Sequence, residues 1–286
     1  MPFPALNDYL ARLPAARSAT ATVWRTADGR AHGQFFNCAL TSAFQAIHPI
    51  GVHATAGPAE PIAFEGFARG ASDEGAGLSL WRMLDRASSD EQSVELDRLC
   101  RMLHAINFFR QEGAEQGAAL YLSVHDRLLS AVSSNHGYAF QRILTALELP
   151  ASQIVLQLPA VSAGSRWLAN YVADNYRRNG FRLAFNAAKV EDAIAVINQF
   201  KPHAVKIDAR ALRNTAALPD LLDLARTSGV KVIVKRLDDP GLLALIERAS
   251  FDTGAAVHAQ GYLLESPRAA LQPRRHGASL LEAAAA

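Results

Sequence analysis

The sequence predicts an α/β fold, a barrel of eight β-strands with an outer ring of helices. Eight short β-branched or apolar runs alternate with longer segments of helical periodicity, which is the order of βα units. The length of 286 residues, half of them hydrophobic, suits a single barrel of about 250 residues. An open doubly wound sheet would also alternate in this way, but no glycine-rich phosphate loop follows its first strand.

Residues 1–38 are expected to form an extension before the barrel. A short helix is predicted at residues 6–13, and the runs TATVW and AHGQFF, which flank the turn signal Ala27-Asp28-Gly29-Arg30, predict a hairpin. We expect both to pack on the barrel. The barrel is assigned to residues 39–270, and residues 271–286, which end in four alanines, are expected to be a flexible tail.

The barrel strands are predicted from short apolar runs. In chain order these are SAFQAI, PIAFEGFA, ALYLSV, QIVLQL, FRLAFN, HAVKID, VKVIVK and AVHAQGY. The segments between them carry apolar residues at helical spacing, for example Leu96, Leu99 and Leu103. Eight strands, each followed by a helix, are the simplest arrangement that accounts for this pattern.

Composition excludes several classes of partner and compartment. The formal net charge of +2 creates no field that would indicate binding to a nucleic acid polymer or to a membrane surface. No apolar run reaches the roughly 18 residues of a membrane span. Cys38 and Cys100 lie in unrelated segments without a CxxC motif, which predicts reduced thiols and a cytoplasmic location.

Polar residues near the ends of the predicted strands are the main functional signal. Buried parallel strands are expected to consist of Val, Ile and Leu. The carboxyl ends of barrel strands meet at one mouth, where enzymes of this fold have their active sites. We therefore expect these polar residues to surround one site. They are Gln45, Glu65, Ser123, Gln157, Asn186, Lys206, Asp208, Lys235 and Gln260.

Several motifs resemble those of one family over roughly residues 40–267. FEGFARG at 64–70 places Glu65 at a signature glutamate, with Gly66 and Phe67 in place of Ala and Leu, and FQAI with Gln45 precedes it. ELDRLCR at 95–101, GFRLAF at 180–185, VKID at 205–208 and AQGYLLESP at 259–267 follow in order. In order and spacing the chain resembles the EAL family of cyclic-di-GMP phosphodiesterases, which implies a barrel of the EAL type.

The resemblance also implies a chemistry. Active family members hold two divalent cations, magnesium or manganese, at the barrel mouth and open the phosphodiester with metal-bound water. It implies that Glu65, Lys206 and Asp208 are remnants of the catalytic set. Candidate ligand-binding positions are Gln45, Arg69, Gln260 and Lys235.

The chain departs from the family at most of the metal-binding positions. Ser123 aligns with a family asparagine, Gln157 with a glutamate, Asn186 and Ala187 with paired aspartates, and Lys235 with a glutamate. Hard divalent cations need several anionic oxygens, and an ammonium group repels them. We therefore expect no metal, no cofactor and no hydrolase activity. The alternative is an active phosphodiesterase that uses Mg²⁺ or Mn²⁺.

Lys235 and Arg69 each have two interpretations. Lys235 is expected to pair with Glu65 across the mouth, or else its ammonium replaces a metal and receives a phosphate. Arg69 aligns with a family arginine that holds the nucleotide phosphate, or else it is a solvated residue at the start of a loop. Among the histidines only His125 and His258 are expected to face the mouth, and the spacing of His48 and His53 does not indicate a metal site.

Two function classes follow from the resemblance and the departures. The domain acts in cyclic-di-GMP signalling either as a receptor that binds the nucleotide without hydrolysing it, or as a protein-interaction module that has lost the nucleotide. A protein partner is expected in both cases, and a homodimer is compatible with either.

Overall fold

The computed structural model describes residues 21–36, 38–53, 60–70, 89–111, 114, 117–131, 135, 137–161, 166–213 and 215–271. The helix predicted at residues 6–13 and the tail from residue 272 lie outside these ranges. Within them, one sheet contains ten strands: β1 Ala21–Arg25, β2 Ala31–Phe35, β3 Cys38–Ile50, β4 Ala63–Gly70, β5 Ala119–Ser123, β6 Ile154–Leu158, β7 Arg182–Ala187, β8 Ala204–Asp208, β9 Lys231–Lys235 and β10 Val257–Ala259.

Strands β3 to β10 close into a barrel. The sheet order is β3-β10-β9-β8-β7-β6-β5-β4, and β4 pairs back onto β3. Each of the eight predicted runs overlaps one of these strands, so the prediction of an eight-stranded α/β barrel is confirmed. From β4 to β10 every neighbouring pair is parallel, because a helical segment returns the chain to the same end of the barrel each time.

The first barrel strand departs from the parallel order that the alternation predicted. β3 is antiparallel to both β4 and β10. A parallel connection crosses back over the sheet, usually through a helix, whereas the described residues between β3 and β4 contain only the 3₁₀ turn Gly51–His53. The two strands consequently pair from Leu40 opposite Gly70 to Ile47 opposite Ala63.

Helices surround the barrel. The first described helix, α1 Asp90–Phe109, begins after Ser89, whose hydroxyl accepts a hydrogen bond from the Gln92 N–H at 3.2 Å. Asp239 caps the last helix by accepting from the Gly241 N–H at 2.8 Å. None of the described helices is long and apolar enough to cross a membrane. The helices are α1 Asp90–Phe109, α2 Asp126–Ala131, α3 Tyr138–Ala146, α4 Arg166–Arg178, α5 Val190–Phe200, α6 Leu218–Ser228 and α7 Pro240–Thr253.

The N-terminal hairpin is an extension of the sheet. β1 pairs with β2, and β2 pairs with the first residues of β3, from Phe35 opposite Cys38 to Gly33 opposite Leu40. The Asn107 side chain of α1 fixes the hairpin by accepting from the Ala31 N–H and donating to the Ala31 carbonyl, both at 2.8 Å. The predicted hairpin is present, and it continues the hydrogen-bonded sheet of the barrel.

The buried residues form two clusters on opposite faces of the barrel sheet. A large cluster lies between strands and helices, and a small one fills the barrel interior. Because successive residues of a strand point to opposite faces, the interior cluster identifies which side chains point inward. Its members are Ile47, Ala63, Ala119, Tyr121, Val155, Ala184, Ala204 and Ile233.

A glycine in the signature strand makes room for a buried histidine. A Cβ atom on Gly66 would lie 3.0 Å from Cγ of His104 on α1, so a larger residue there would displace the imidazole. His104 is 4% exposed, and its Nδ1 lies 2.8 Å from Ser42 Oγ. Burial, assisted by the charge of Arg69 and opposed by Glu65, lowers the pKa of His104 to about 3.

This buried histidine predicts a pH dependence of stability. The unfolded chain binds a proton on His104 below its ordinary pKa of 6.5, whereas the folded chain does so only near pH 3. The unfolding free energy is therefore expected to fall as the pH drops through this window, by up to about 1.4 kcal/mol per pH unit from this residue. Denaturant titrations at several pH values give the unfolding free energy of the wild type and of His104→Gln. We expect this free energy to fall less steeply with decreasing pH in the variant. Equal slopes would contradict the assignment.

Candidate functional site

The predicted polar residues of the strands lie on the inner side of the barrel, toward the carboxyl ends of β4 to β10. Six of them follow a member of the interior cluster by two positions, as Glu65 follows Ala63 and Lys206 follows Ala204, so the alternation of strand residues directs these side chains inward. Gln45 enters from antiparallel β3, directly opposite Glu65.

Glu65 is the centre of a buried hydrogen-bond network. Its Oε1 accepts from Gln157 Nε2 at 3.0 Å. Its Oε2 accepts from Lys206 Nζ at 2.8 Å and also from Gln260 Nε2. Gln157 Nε2 donates a second hydrogen bond to Ser123 Oγ at 3.2 Å. Both oxygens of the carboxylate are therefore used by neighbouring side chains.

Lys206 is enclosed by the same network. It is 0% exposed, and besides Glu65 it donates to Gln260 Oε1 at 2.9 Å. Its Nζ also lies 5.4 Å from the centre of the Tyr121 ring, a cation–π distance. Gln260 continues the network to Gln45 Oε1 at 3.3 Å.

Glu65 and Lys206 each stabilise the charged form of the other. Burial alone would raise the pKa of Glu65, but the Lys206 charge and the hydrogen bonds from Lys206, Gln260 and Gln157 hold that pKa below its ordinary value. Burial lowers the pKa of Lys206, and the attraction of Glu65 acts against this shift. The two groups form an ion pair whose members depend on each other for charge compensation.

Lys235 does not pair with Glu65, so that prediction is wrong. Its Nζ donates to Asn186 Oδ1 at 2.6 Å, and Asn186 Nδ2 in turn donates to the Leu158 carbonyl at 3.0 Å. Lys206 takes the place beside Glu65, and Lys235 lies nearer the solvent. Burial, with help from the Lys206 charge, lowers the pKa of Lys235, although Glu65 and Asp208 oppose the shift.

A cleft of about 510 Å³ opens at the carboxyl ends of β7, β8 and β9. The hydrogen-bonded pair Lys235 and Asn186 lines it together with small apolar side chains and other charged ones. The lining residues are Ala160, Asn186, Ala187, Ala188, Asp208, Arg210, Ala211, Lys235 and Arg236.

The cleft carries an excess of positive charge. Three of its lining side chains are cationic, namely Lys235, Arg210 and Arg236, and one is acidic, namely Asp208. Asp208 pairs with both arginines, accepting from Arg210 Nη2 at 2.8 Å and contacting Arg236. Hydrogen bonds from Arg210 and the charge of Arg236 lower the pKa of Asp208 to about 2. This carboxylate belongs to the cleft and is separate from the Glu65 network.

Arg69 and Ala187 lie at the margins of this site. Arg69 is on the inner face of β4, four residues beyond Glu65, where it donates to the Ala68 carbonyl at 3.2 Å and lies over the Phe67 ring. Ala187 is 4% exposed and packs in the helix-facing cluster while its surface also lines the cleft.

The two histidines expected to face the mouth contact residues outside the Glu65 network. His258 lies on β10, two residues before Gln260. It contributes to lowering the pKa of His203, which precedes β8 at the end of the barrel opposite the mouth. His125 follows β5, where its Nδ1 lies 3.0 Å from Asp126 Oδ1. Across the part of the chain that the structure describes, no three His, Cys, Asp or Glu side chains are grouped as a metal site requires.

Two cleft residues were not predicted from the sequence. Arg210 and Arg236 lie in the turns after β8 and β9, outside the strand-end pattern that identified the others. A signal was present, because Arg210 follows Asp208 by two positions and Arg236 is adjacent to Lys235. A basic residue at the start of a βα turn is ordinary on a surface, so the pattern alone did not single them out.

The fold was compared with solved structures. The Bacillus subtilis YkuI protein, with an EAL domain, in complex with c-di-GMP and calcium, matches with a TM-score of 0.62 and 22% identity over 82% of this chain and 57% of that one. A Klebsiella pneumoniae BlrP1 complex with manganese and cyclic-diGMP matches with a TM-score of 0.64 and 16% identity over 88% and 60%. The Xanthomonas citri FimX EAL domain in complex with c-diGMP matches with a TM-score of 0.56 and 13% identity, over 82% of this chain and 88% of that one.

The chain spans about three fifths of the length of the first two of these proteins. At these identities the likeness shows the fold. A comparison with curated proteins returned no match. The model of the EAL domain, however, matches residues 37–267, well over half of the sequence, and the chain therefore belongs to the EAL domain family.

Proposed function

We propose that this EAL domain is catalytically inactive and binds cyclic-di-GMP without a metal ion, as a receptor in cyclic-di-GMP signalling. The observation that carries the proposal is the position of Lys235, which donates to Asn186 and lines a cationic cleft at the mouth of the barrel. Solved relatives of the same fold are complexes with this nucleotide, which supports the choice of ligand.

The side chains at the mouth do not fit a pair of divalent cations. Both oxygens of Glu65 already accept hydrogen bonds, and Asp208 is paired with two arginines. Gln157 and Asn186 offer neutral amides. An ammonium about 4 Å from a dication is repelled by about 8 kcal/mol at an effective dielectric of about 20, so Lys235 and a metal at the family position exclude each other.

The same cleft suits a phosphodiester. A phosphate oxygen needs charged donors on a surface that it can reach, and Lys235, Arg210 and Arg236 supply such donors around a cleft with one acid. Asp208 orients the two guanidinium groups through its ion pairs. The alanines at 160, 187, 188 and 211 line the same cleft, and their small side chains leave room for a nucleotide phosphate to approach Lys235.

We expect calorimetric titration to detect cyclic-di-GMP binding at micromolar affinity that does not change when magnesium is added. The physical reason is that the phosphate charge is met by fixed side-chain cations, which need no metal. In the same preparations, chromatography should detect no conversion to the linear dinucleotide with Mg²⁺ or Mn²⁺. Metal-dependent turnover that Glu65→Ala abolishes would overturn the proposal of inactivity.

The titration needs a control that separates the cleft from general surface charge. Lys235→Gln should weaken binding by about tenfold, the value of one charge-assisted hydrogen bond. Lys201→Gln removes an exposed charge at the other end of α5 and should leave the affinity unchanged. If the wild type does not bind at any accessible nucleotide concentration, the receptor proposal fails.

Exposed aromatic side chains favour a second candidate, a protein-interaction module. Trp167 and Tyr171 are 72% and 42% exposed on α4, and Phe251 is 63% exposed on α7. Such large apolar side chains are enriched at protein interfaces. A protein partner or a homodimer is compatible with both candidates. The free thiols of Cys38 and Cys100 fit the cytoplasm as the proposed compartment.

A further inference from the structure

The end of the barrel opposite the cleft contains a second group of basic residues. Arg182 and Lys231 are the first residues of β7 and β9, and His203 immediately precedes β8, which lies between those two strands. The backbone of His203 bridges the two strands, because its N–H donates to the carbonyl of Leu183, the neighbour of Arg182, at 2.8 Å and its carbonyl accepts from the Lys231 N–H at 3.1 Å.

Two of these side chains point into the barrel. Ala184 and Ile233 belong to the interior cluster, and Arg182 and Lys231 precede them by two positions on the same strands, so they share the inner face. His258, two positions before Gln260, lies close enough to His203 to influence its charge. We call Arg182, His203, Lys231 and His258 the floor cluster.

No acidic residue is among the charges that shift the pKa values of His203 and Lys231. Burial lowers the pKa of His203 to about 4, and the charges that add to this shift are all basic, from Lys231, Arg182 and His258. Burial also lowers the pKa of Lys231, with Arg182 as the contributing charge. Among the described residues, no acidic side chain forms an ion pair with Arg182, His203 or Lys231.

A buried donor in the cluster has no acceptor. Arg182 Nε is shielded from solvent and makes no hydrogen bond to the residues described. A buried polar atom without a partner is unfavourable, and adjacent like charges repel each other. A tetrahedral oxyanion would correct both defects at once, since it offers several acceptors and two negative charges.

We propose that the floor cluster is a binding site for a phosphate group, separate from the nucleotide cleft at the opposite end of the barrel. The guanidinium of Arg182 and the ammonium of Lys231 donate to the phosphate oxygens, and His203 lies beside them. The ligand class is inorganic phosphate or a small phosphate monoester. This inference does not depend on the proposed nucleotide binding, because the two sites share no residue.

The test uses His203 as a local reporter. NMR spectra of the intact chain are recorded during titration with inorganic phosphate, at constant ionic strength maintained with chloride, and the His203 signal is assigned with His203→Gln. We expect a saturable change in the wild type and in Lys235→Gln. In Arg182→Gln and in Lys231→Gln the affinity should be at least about tenfold weaker, because each loses a charge-assisted contact.

Stability measurements give an independent result. Without phosphate, Lys231→Gln should melt at a higher temperature than the wild type, because one repulsive charge has been removed. With phosphate, the wild type should gain more in melting temperature than the variant.

Glycerol 3-phosphate replaces inorganic phosphate in a parallel titration, and tighter binding would identify a monoester as the natural ligand. The proposal is overturned if chloride reproduces the His203 change, or if both variants respond to phosphate like the wild type.

Discussion

Lys206→Met is expected to lower the unfolding free energy by about 3–5 kcal/mol, the usual effect of removing one partner of a buried ion pair. The lysine is 0% exposed and provides the ammonium that compensates the Glu65 carboxylate. Without it, Glu65 retains only amide donors in a buried position. For a domain of this size the change corresponds to a fall in melting temperature of about 10 °C, which a thermal melt followed by circular dichroism would detect.

The double variant Lys206→Met/Glu65→Gln distinguishes charge loss from loss of packing. A glutamine at position 65 keeps one acceptor oxygen for the Gln260 amide. Its NH2 group can donate to Gln157 Oε1, a buried atom with no hydrogen bond to the described residues, once the Gln157 amide flips. No buried charge remains, so most of the lost stability should return. Lys231→Met is the control, because it removes an inward-pointing lysine that forms no ion pair with the described residues and is repelled by Arg182. It should therefore not lower the stability. Strictly additive effects of the two single changes would show that the pair is not coupled.

The barrel was predictable because its strands are apolar runs of similar length separated by helical segments. β8 and β9, for example, are the buried runs around VKID and VKVIVK. The direction of β3 was not predictable in this way, because its apolar pattern is the same in either direction. Its antiparallel pairing with β4 depends on the connection after Ile50, which the hydrophobic pattern does not describe.

The composition of the site was predicted better than its pairing. Strand alternation and barrel closure place Glu65, Lys206 and Gln260 together, and their order in the sequence was enough to expect it. Which lysine meets Glu65 depends on the relative register of β8 and β9, in which Lys235 lies opposite Asp208, two residues beyond Lys206. Lys235 therefore lies two residues further along the barrel than Lys206, and its hydrogen-bond partner is Asn186 and not Glu65.

Reversing the charge of the cleft residue Lys235 with Lys235→Glu is expected to abolish measurable cyclic-di-GMP binding. The affinity should fall by about a hundredfold or more. The change removes one charge-assisted hydrogen bond and adds repulsion toward the phosphate. Titration calorimetry without metal measures it. Lys201→Glu changes the net charge equally at the exposed end of α5 and should bind like the wild type. An unchanged affinity in Lys235→Glu would place the nucleotide elsewhere.

Lys235→Glu is also the first step in rebuilding a metal site, and we expect it to be insufficient alone. Adding Gln157→Glu and Asn186→Asp should produce Mn²⁺ binding, detectable by calorimetry, because affinity for hard cations depends on the number and charge of oxygen ligands.

Turnover should remain absent even in that triple variant. Catalysis also requires water and phosphate to be held in line, and misplacement by about 1 Å costs about a hundredfold. The remaining paired aspartate of the family pattern corresponds to Ala187, which is 4% exposed in the helix-facing core, so Ala187→Asp would bury a charge and destabilise β7. Vigorous metal-dependent hydrolysis by Lys235→Glu alone would mean that Gln157 and Asn186 are adequate ligands as they stand, and that a single lysine keeps this domain from being a phosphodiesterase.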